Sequence, residues 1–229
     1  MTTRDLRGER ERLRREGSKM SILQAAEGLI IKKGYSGLTM DDVAREAQFS
    51  KATLYRYFRN KGELIFEIAA NYYRKVTANL REIRQEDSRP VEKLRRAIRF
   101  VLRFGQEKRN LSRVFMIDEF LPRLLRSLGG APERPASTED KKSVGMLKAC
   151  RREMLEVGSE ILKDGIAAGE FRAMDVMAGV TFLEAALQGY LHGELLSQKK
   201  HDLEAETELI HSFFLHGIMD KRNVKGGSR

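Results

Sequence analysis

The sequence predicts an all-α fold, and three observations carry that prediction. Apolar residues recur at three- and four-residue intervals through each long segment, the spacing of one helical face. Alternating strand patterns and Asn-Gly hairpin signals are absent. Hydrophobic residues make up 41% and charged residues 33% of the 229, with four prolines and no tryptophan, a balance that suits helices with charged outer faces.

Residues 1–17 hold six arginines and four acids and no apolar stripe, so they are expected to form a disordered arm. From Ser18 the pattern changes: Ile22, Ala25, Ala26, Leu29 and Ile30 define one helical face, and Gly34 supplies a stop. Thr39 is a candidate N-cap with Asp42 three places on, a capping-box spacing, and Val43, Ala44 and Ala47 form the short apolar face behind it. After a break at Gln48 and Phe49, Ser50 caps again, and Lys51–Phe58 makes a second short helix with Leu54 and Phe58 inward. Asn60 caps a long helix whose apolar face, Leu64, Ile65, Ile68, Tyr72 and Val76, lasts to about Arg84.

Residues 85–89 are polar and Pro90 suits a first helical turn, which places the boundary between a small N-terminal domain and a larger C-terminal one there. Beyond it, Val91, Leu94, Ile98, Val101 and Leu102 keep a helical period, followed by Leu111–Leu128 with an expected kink at Pro122. Residues 129–140 read as a loop, Lys141 to Ala168 as a long helix ending at Gly169, Asp175 as the cap of a helix to about Gln198, and 203–221 as the last helix. The expected organisation is an arm at 1–17, a small three-helix domain at 18–64 with its linking helix to about 84, a larger helical domain at 85–221, and a frayed tail at 222–229.

The net charge is +10, and residues 1–60 carry 13 basic and 8 acidic residues, half of that excess on about a quarter of the chain. An anionic partner follows, nucleic acid or an acidic membrane surface. No apolar run approaches the roughly twenty residues that span a bilayer, no secretory signal opens the chain, and the single Cys150 cannot form an intrachain disulfide, so a cytoplasmic protein is expected. The four histidines, 192, 201, 211 and 216, show no metal-ligand spacing and Cys150 has no nearby histidine, which leaves neither a metal nor a catalytic site to propose.

The segment "FSKATLYRYFRNKGEL", residues 49–64, packs four aromatic rings and four basic side chains into sixteen positions. A short helix, a tight corner and a second helix with a basic, aromatic outer face make a helix-turn-helix, whose second helix enters the major groove. Ser50, Lys51, Ala52 and Thr53 occupy its first turn, with Tyr55 and Arg56 following; Ala52 allows close approach while hydroxyls and amines bond phosphates or base edges. Lys61 adds charge at the next helix start. The plainer alternative is a solvated charged helix with a few core aromatics, but Tyr55 and Tyr57 cannot both share the inward face with Leu54 and Phe58, so at least one ring points outward.

Residues 34–64, "GYSGLTMDDVAREAQFSKATLYRYFRNKGEL", resemble the DNA-binding segment of the TetR family of bacterial transcriptional regulators, above all in the run T, L, Y, x, Y/H, F followed by K, x, x, L. The likeness covers Ser18–Leu64 at motif level and reappears in "DGIAAGEF" at 164–171. It implies a ligand-responsive repressor: an all-α homodimer on a palindromic operator in double-stranded DNA, released by a small effector. By matched position it implies that Thr39 and Met40 lie near a phosphate, that Lys51, Ala52 and Thr53 face bases or backbone, that Tyr55 and Tyr57 reach phosphates, and that Lys61 clamps the backbone. Two departures stand out: Gln48 occupies the corner where the family usually has glycine, and Asp41 stands where some relatives carry a base-reading cation.

Phe182, Ala186, Gly189, Tyr190 and Gly193, then Ile210, Phe213, Phe214 and Gly217, mix small and large residues at helical spacing, which fits either intrachain core or close helix packing with a second copy; the resemblance implies the latter. Phe100, Phe104, Phe115, Met116, Phe120, Met146, Cys150 and Met154 are candidates to line an apolar pocket, although such methionine and aromatic stripes are more often plain core, with Arg103, Asp118, Glu119 or His192 as polar contacts. A bulky or elongated apolar ligand is the kind expected. Two other classes of function stay open at this point, an all-α small-molecule enzyme or carrier and a DNA-binding factor without an effector.

Overall fold

The computed structural model describes residues 3–108, 138–195 and 202–218. Among them the chain folds into helices α1 (Thr3–Gly37), α2 (Met40–Glu46), α3 (Lys51–Tyr57), α4 (Lys61–Gln85), α5 (Pro90–Glu107), α6 (Thr138–Ala167), α7 (Val176–Leu195) and α8 (Leu203–Ile218), with no strand. None is long and apolar enough to cross a membrane. The expected helix Leu111–Leu128, its kink at Pro122 and most of the 129–140 loop lie outside the described residues, as do 196–201 and the tail from 219.

The described residues divide into two compact units, those up to 69 with 138–147, and those of 70–108 with 148–195 and 202–218. The division falls inside α4 and not at the polar stretch before Pro90, because α4 runs unbroken and its two halves serve different cores. Leu64, Ile65 and Ile68 belong to the first core and Val76, Leu80 and Ile83 to the second.

In the first unit Ile22, Leu23, Ala26, Leu29 and Ile30 of α1 meet Val43 and Ala44 of α2, Leu54 and Phe58, and the start of α4. Gly34, at φ 71°, breaks the end of α1 as the sequence predicts. The arm expected to be disordered is helical instead, from Thr3 onward. Arginine and glutamate are good helix formers, and Glu11–Arg14 (3.6 Å) and Arg12–Glu16 (3.8 Å) pair along it at helical spacing.

In the second unit α5 packs against both α7 and α8. Its N-terminus carries Pro90 in the first turn, and the Glu170 carboxylate accepts from the Val91 amide (3.0 Å) and from Arg89 (2.9 Å). Helix α6 begins three residues earlier than its sequence suggests, at Thr138. It ends at Gly169 (φ 70°), where the Gly169 amide donates to Ile166 and that of Glu170 to Gly165, a Schellman motif that folds the buried Phe171 back onto Gly165. Asp175 and Asp202 accept from the amides of Ala178 (3.0 Å) and Ala205 (3.1 Å), capping α7 and α8.

Candidate nucleic-acid interface, cavity and exposed apolar face

Three side-chain caps build the corner. Thr39 Oγ1 accepts from the Asp42 amide (3.1 Å), Ser50 Oγ from the Thr53 amide (3.1 Å), and Asn60 Oδ1 from the Glu63 amide (2.8 Å), each contributing about 1 kcal/mol. The Asp42 carboxylate does not close the expected capping box on Thr39's amide; it accepts from Lys33 Nζ (3.1 Å), and this bond, with one to Thr39, holds its pKa below the ordinary aspartate value. Gln48 takes the left-handed conformation, φ 59°, that glycine would adopt without strain. The amides of Gln48 and Phe49 donate to Arg45 (3.1 Å) and Ala44 (2.9 Å), so the corner keeps a complete Schellman motif despite a strain of about 1 kcal/mol.

That corner sets the register of α3. Leu54 and Phe58 are fully buried, while Lys51, Ala52, Tyr55 and Arg56 are exposed, Tyr55 at 47%. Tyr55 is therefore the outward ring, and Tyr57 packs partly against the core with the Arg56 guanidinium over it at 5.7 Å. Ser50 and Thr53 hydroxyls share a hydrogen bond of 2.9 Å. Thr39 is exposed and Met40 half-buried on the core, and Lys61 Nζ sits 4.1 Å from the centroid of Tyr35. Lys51 is ion-paired with Asp41 of α2, a contact between two helices that the sequence alone does not disclose.

The second unit holds a cavity of about 70 Å³, lined among the described residues by Val76, Leu80, Leu94, Ile98, Leu155, Leu183, Leu187 and other apolar side chains, with Tyr72, Glu184 and Gln188 as its polar members. Arg151 clamps the Glu184 carboxylate through two nitrogens, one at 2.8 Å. Burial pushes the Tyr72 phenol above its ordinary pKa, so it is neutral. Of the candidate pocket residues, Met154 lines this cavity; Phe100, Arg103, Phe104, Met146, Cys150 and His192 are not among its walls, and Phe115, Met116, Asp118, Glu119 and Phe120 lie outside the described residues. Phe100 and Phe104 stack at 5.6 Å, Phe104 on Tyr72 at 5.1 Å, and Arg103 lies over Phe100 and pairs with Glu107. The aliphatic walls escape sequence reading because a cavity lined by Leu, Ile and Val has the same period as a filled core.

On α7 and α8, Phe182 and Phe213 are 68% and 76% exposed, and Ala186, Gly189 and Gly193 are exposed beside Phe182's face, with Tyr190 half-buried. Ile210 and Phe214 instead belong to the unit's own core, because they sit on the side of α8 that faces α5. Gly217 lies in the last turn of α8. His211 is buried with its ring bonded to the Val91 carbonyl (3.2 Å), His216 bonds the Ser212 carbonyl (2.7 Å), and burial lowers the pKa of His192. His201 lies outside the described residues, among which no group of three or more potential ligands could hold a metal.

Comparison with known proteins bears on the same region. Residues 22–68 match the model of bacterial regulatory proteins of the tetR family. The chain is 39% identical over 62 residues to the uncharacterized HTH-type transcriptional regulator YdeS of Bacillus subtilis (strain 168), a match spanning 27% of this chain and 31% of YdeS, about a third of that protein's length. The fatty acid metabolism regulator protein of the same organism is 23% identical over 206 residues, 88% of this chain and 96% of its own. Among solved structures, the fatty acid degradation regulator FadR from Bacillus halodurans superposes with a TM-score of 0.68 at 18% identity, covering 86% of this chain and 94% of FadR. With the capped corner at Gln48 and the outward Tyr55, these matches make residues 22–68 similar to the bacterial regulatory proteins of the tetR family.

Proposed function

We propose that this protein is a ligand-responsive transcriptional repressor that binds a palindromic operator as a homodimer and leaves it when a small, largely apolar effector fills the second unit. The observation that carries this reading is the outward face of α3, where Lys51, Ala52, Tyr55 and Arg56 stand exposed behind a capped corner. Ser50, Lys51, Ala52 and Thr53 meet base edges and backbone in the major groove; Tyr55, Arg56, Tyr57 and Lys61 hold phosphates, with Thr39 and Met40 near the backbone. Two such helices reach one duplex when a twofold axis sets them about 34 Å apart. The exposed rings of Phe182 and Phe213 support burial against a second copy, at about 1.5–3 kcal/mol each, and Ala186, Gly189 and Gly193 permit close helix approach.

The apolar lining and the relatives named for fatty acid metabolism and degradation support an effector with a long hydrocarbon chain. Each buried methylene contributes about 0.8 kcal/mol. A drug-sized ligand needs about 300–1,000 Å³, so the cavity of about 70 Å³ must widen to admit one. An acidic head group would compete with Glu184 for Arg151. Tyr72, Val76 and Leu80 of α4 are among the walls, so widening displaces α4, alters the spacing of the recognition helices and weakens DNA binding by about 1–3 kcal/mol. The protein acts by binding and not by catalysis, in the cytoplasm where its DNA lies.

Binding to labelled duplex DNA tests both halves. Tyr55→Ala and Lys61→Ala weaken binding to all sequences, whereas Lys51→Ala and Thr53→Ala also change preference. Unchanged affinity in all four variants overturns the DNA assignment, and undiminished binding under saturating long-chain fatty acid and acyl thioester overturns the effector.

A further inference from the structure

Residues 6–17 of α1 bury nothing: all are exposed, and the first core side chain among the described residues is Ile22. Apart from the exposed Leu6 and Leu13 this stretch is polar all round, and a helix that buries nothing gains no stability from packing, so its side chains are available to a partner. Their charges are unevenly distributed. At 100° per residue Arg7, Glu11, Arg14, Arg15 and Ser18 share one face, while Glu9, Arg10, Arg12 and Glu16 occupy the rest and balance one another. The surplus of positive charge therefore lies along one side.

That side borders the recognition helix. Glu11, Arg14, Arg15 and Ser18 line one groove together with Phe49, Thr53, Arg56 and Tyr57, all within the first unit. The groove is continuous with the outward face of α3 through Thr53 and Arg56, and three of its side chains are guanidiniums against a single carboxylate, Glu11, which pairs with Arg14 at 3.6 Å. Guanidinium forks match phosphate oxygens in geometry as well as in charge.

We propose that residues 7–15 of α1 form a second phosphate-contacting surface, which grips the backbone of the same duplex that α3 enters, through Arg14 and Arg15. The proposal rests on the reading of α3 as a DNA-recognition helix. The contact is independent of sequence, because phosphates are uniform along the duplex. It adds about two counterions to those released on binding, each worth about 0.9 in the slope of log affinity against log salt. Glu11 opposes it by occupying Arg14 and by repelling phosphate.

The test titrates the full-length protein into a labelled random-sequence duplex and a selected site over about 50–200 mM salt. Arg14→Ala/Arg15→Ala is expected to flatten the slope by about 1.8 on both duplexes, Arg14→Lys/Arg15→Lys to retain it, and Glu11→Gln to tighten binding several-fold. Removal of residues 1–16, whose described side chains from residue 6 on are all exposed, is expected to give the same flattening even where the double substitution disturbs the helix. Wild-type binding with a salt slope unchanged by both the double substitution and the truncation overturns the proposal and leaves the α3 reading intact. Absence of any salt-dependent DNA binding by the wild type overturns both.

Discussion

Replacing Asp41 with asparagine should tighten DNA binding, and the structure sets the size of the effect. Lys51 and Asp41 are ion-paired, yet their side chains remain 63% and 49% exposed. Such a surface pair contributes roughly 0–1 kcal/mol to folding, so the variant should keep its stability within that margin. On DNA the carboxylate acts twice: it holds the ammonium that a phosphate or base would take, and it repels phosphates a few ångströms away. Two unit charges about 6 Å apart in water interact by roughly 0.7 kcal/mol, and the two effects together come to about 1–1.5 kcal/mol, close to ten-fold in affinity at low salt. If Lys51 then reaches a phosphate, the slope of log affinity against log salt steepens by about 0.9. Fluorescence anisotropy of a labelled duplex at several salt concentrations measures both quantities, and Lys51→Ala with and without Asp41→Asn isolates the part that passes through the ammonium. Equal or weaker binding by Asp41→Asn refutes the reasoning, because it would mean that Asp41 does not shield the surface.

Other substitutions probe the scaffold. A Cβ at Gly165 would meet the ring of Phe171 at 2.1 Å, so Gly165→Ala should cost about 1–3 kcal/mol and lower Tm by several degrees, with Phe171→Leu recovering part of the loss; an unchanged Tm contradicts the packing. Gln48→Gly relieves the left-handed strain and should raise stability by up to about 1 kcal/mol in urea unfolding, whereas Gln48→Val should lower it. Burial is the main cause that lowers the pKa of His211, against the opposing bond to Val91 and the carboxylates of Glu208 and Glu92, with Arg95 adding to the decrease. The unfolded chain therefore takes up this proton first as pH falls: the stability is fully present above about 6.5 and is lost as pH drops from there through the lower folded value. Comparing Tm at pH 7.5 and 5.5 for wild type and His211→Gln should show a smaller acid loss in the variant, and equal losses count against the assignment.

Much of the corner was legible because its signals are local. Thr39, Ser50 and Asn60 cap the helices the sequence assigns to them, and the four-residue spacing of Leu54 and Phe58 sends at least one of Tyr55 and Tyr57 outward, which the structure shows to be Tyr55. Features that depend on which face meets which were less legible. The pattern of α8 is apolar on two sides, so spacing alone could not separate Phe214, in the core, from Phe213, one residue before it and exposed. Composition at residues 1–17 fits a solvated helix as well as a coil, and the ion pairs that favour the helix are a matter of register. The Asp41–Lys51 pair joins two helices across the corner, and the cavity's Leu, Ile and Val walls carry no chemical mark of a void.

Selection of binding sites from a random duplex library tests the central claim most directly. The account predicts that the wild-type chain enriches a twofold-symmetric sequence with half-sites about one helical turn apart, and that Lys51→Ala and Thr53→Ala change the bases enriched. Recovery of no sequence above background, or of one that Lys51→Ala and Thr53→Ala leave unaltered, contradicts the assignment of α3 as the element that reads DNA.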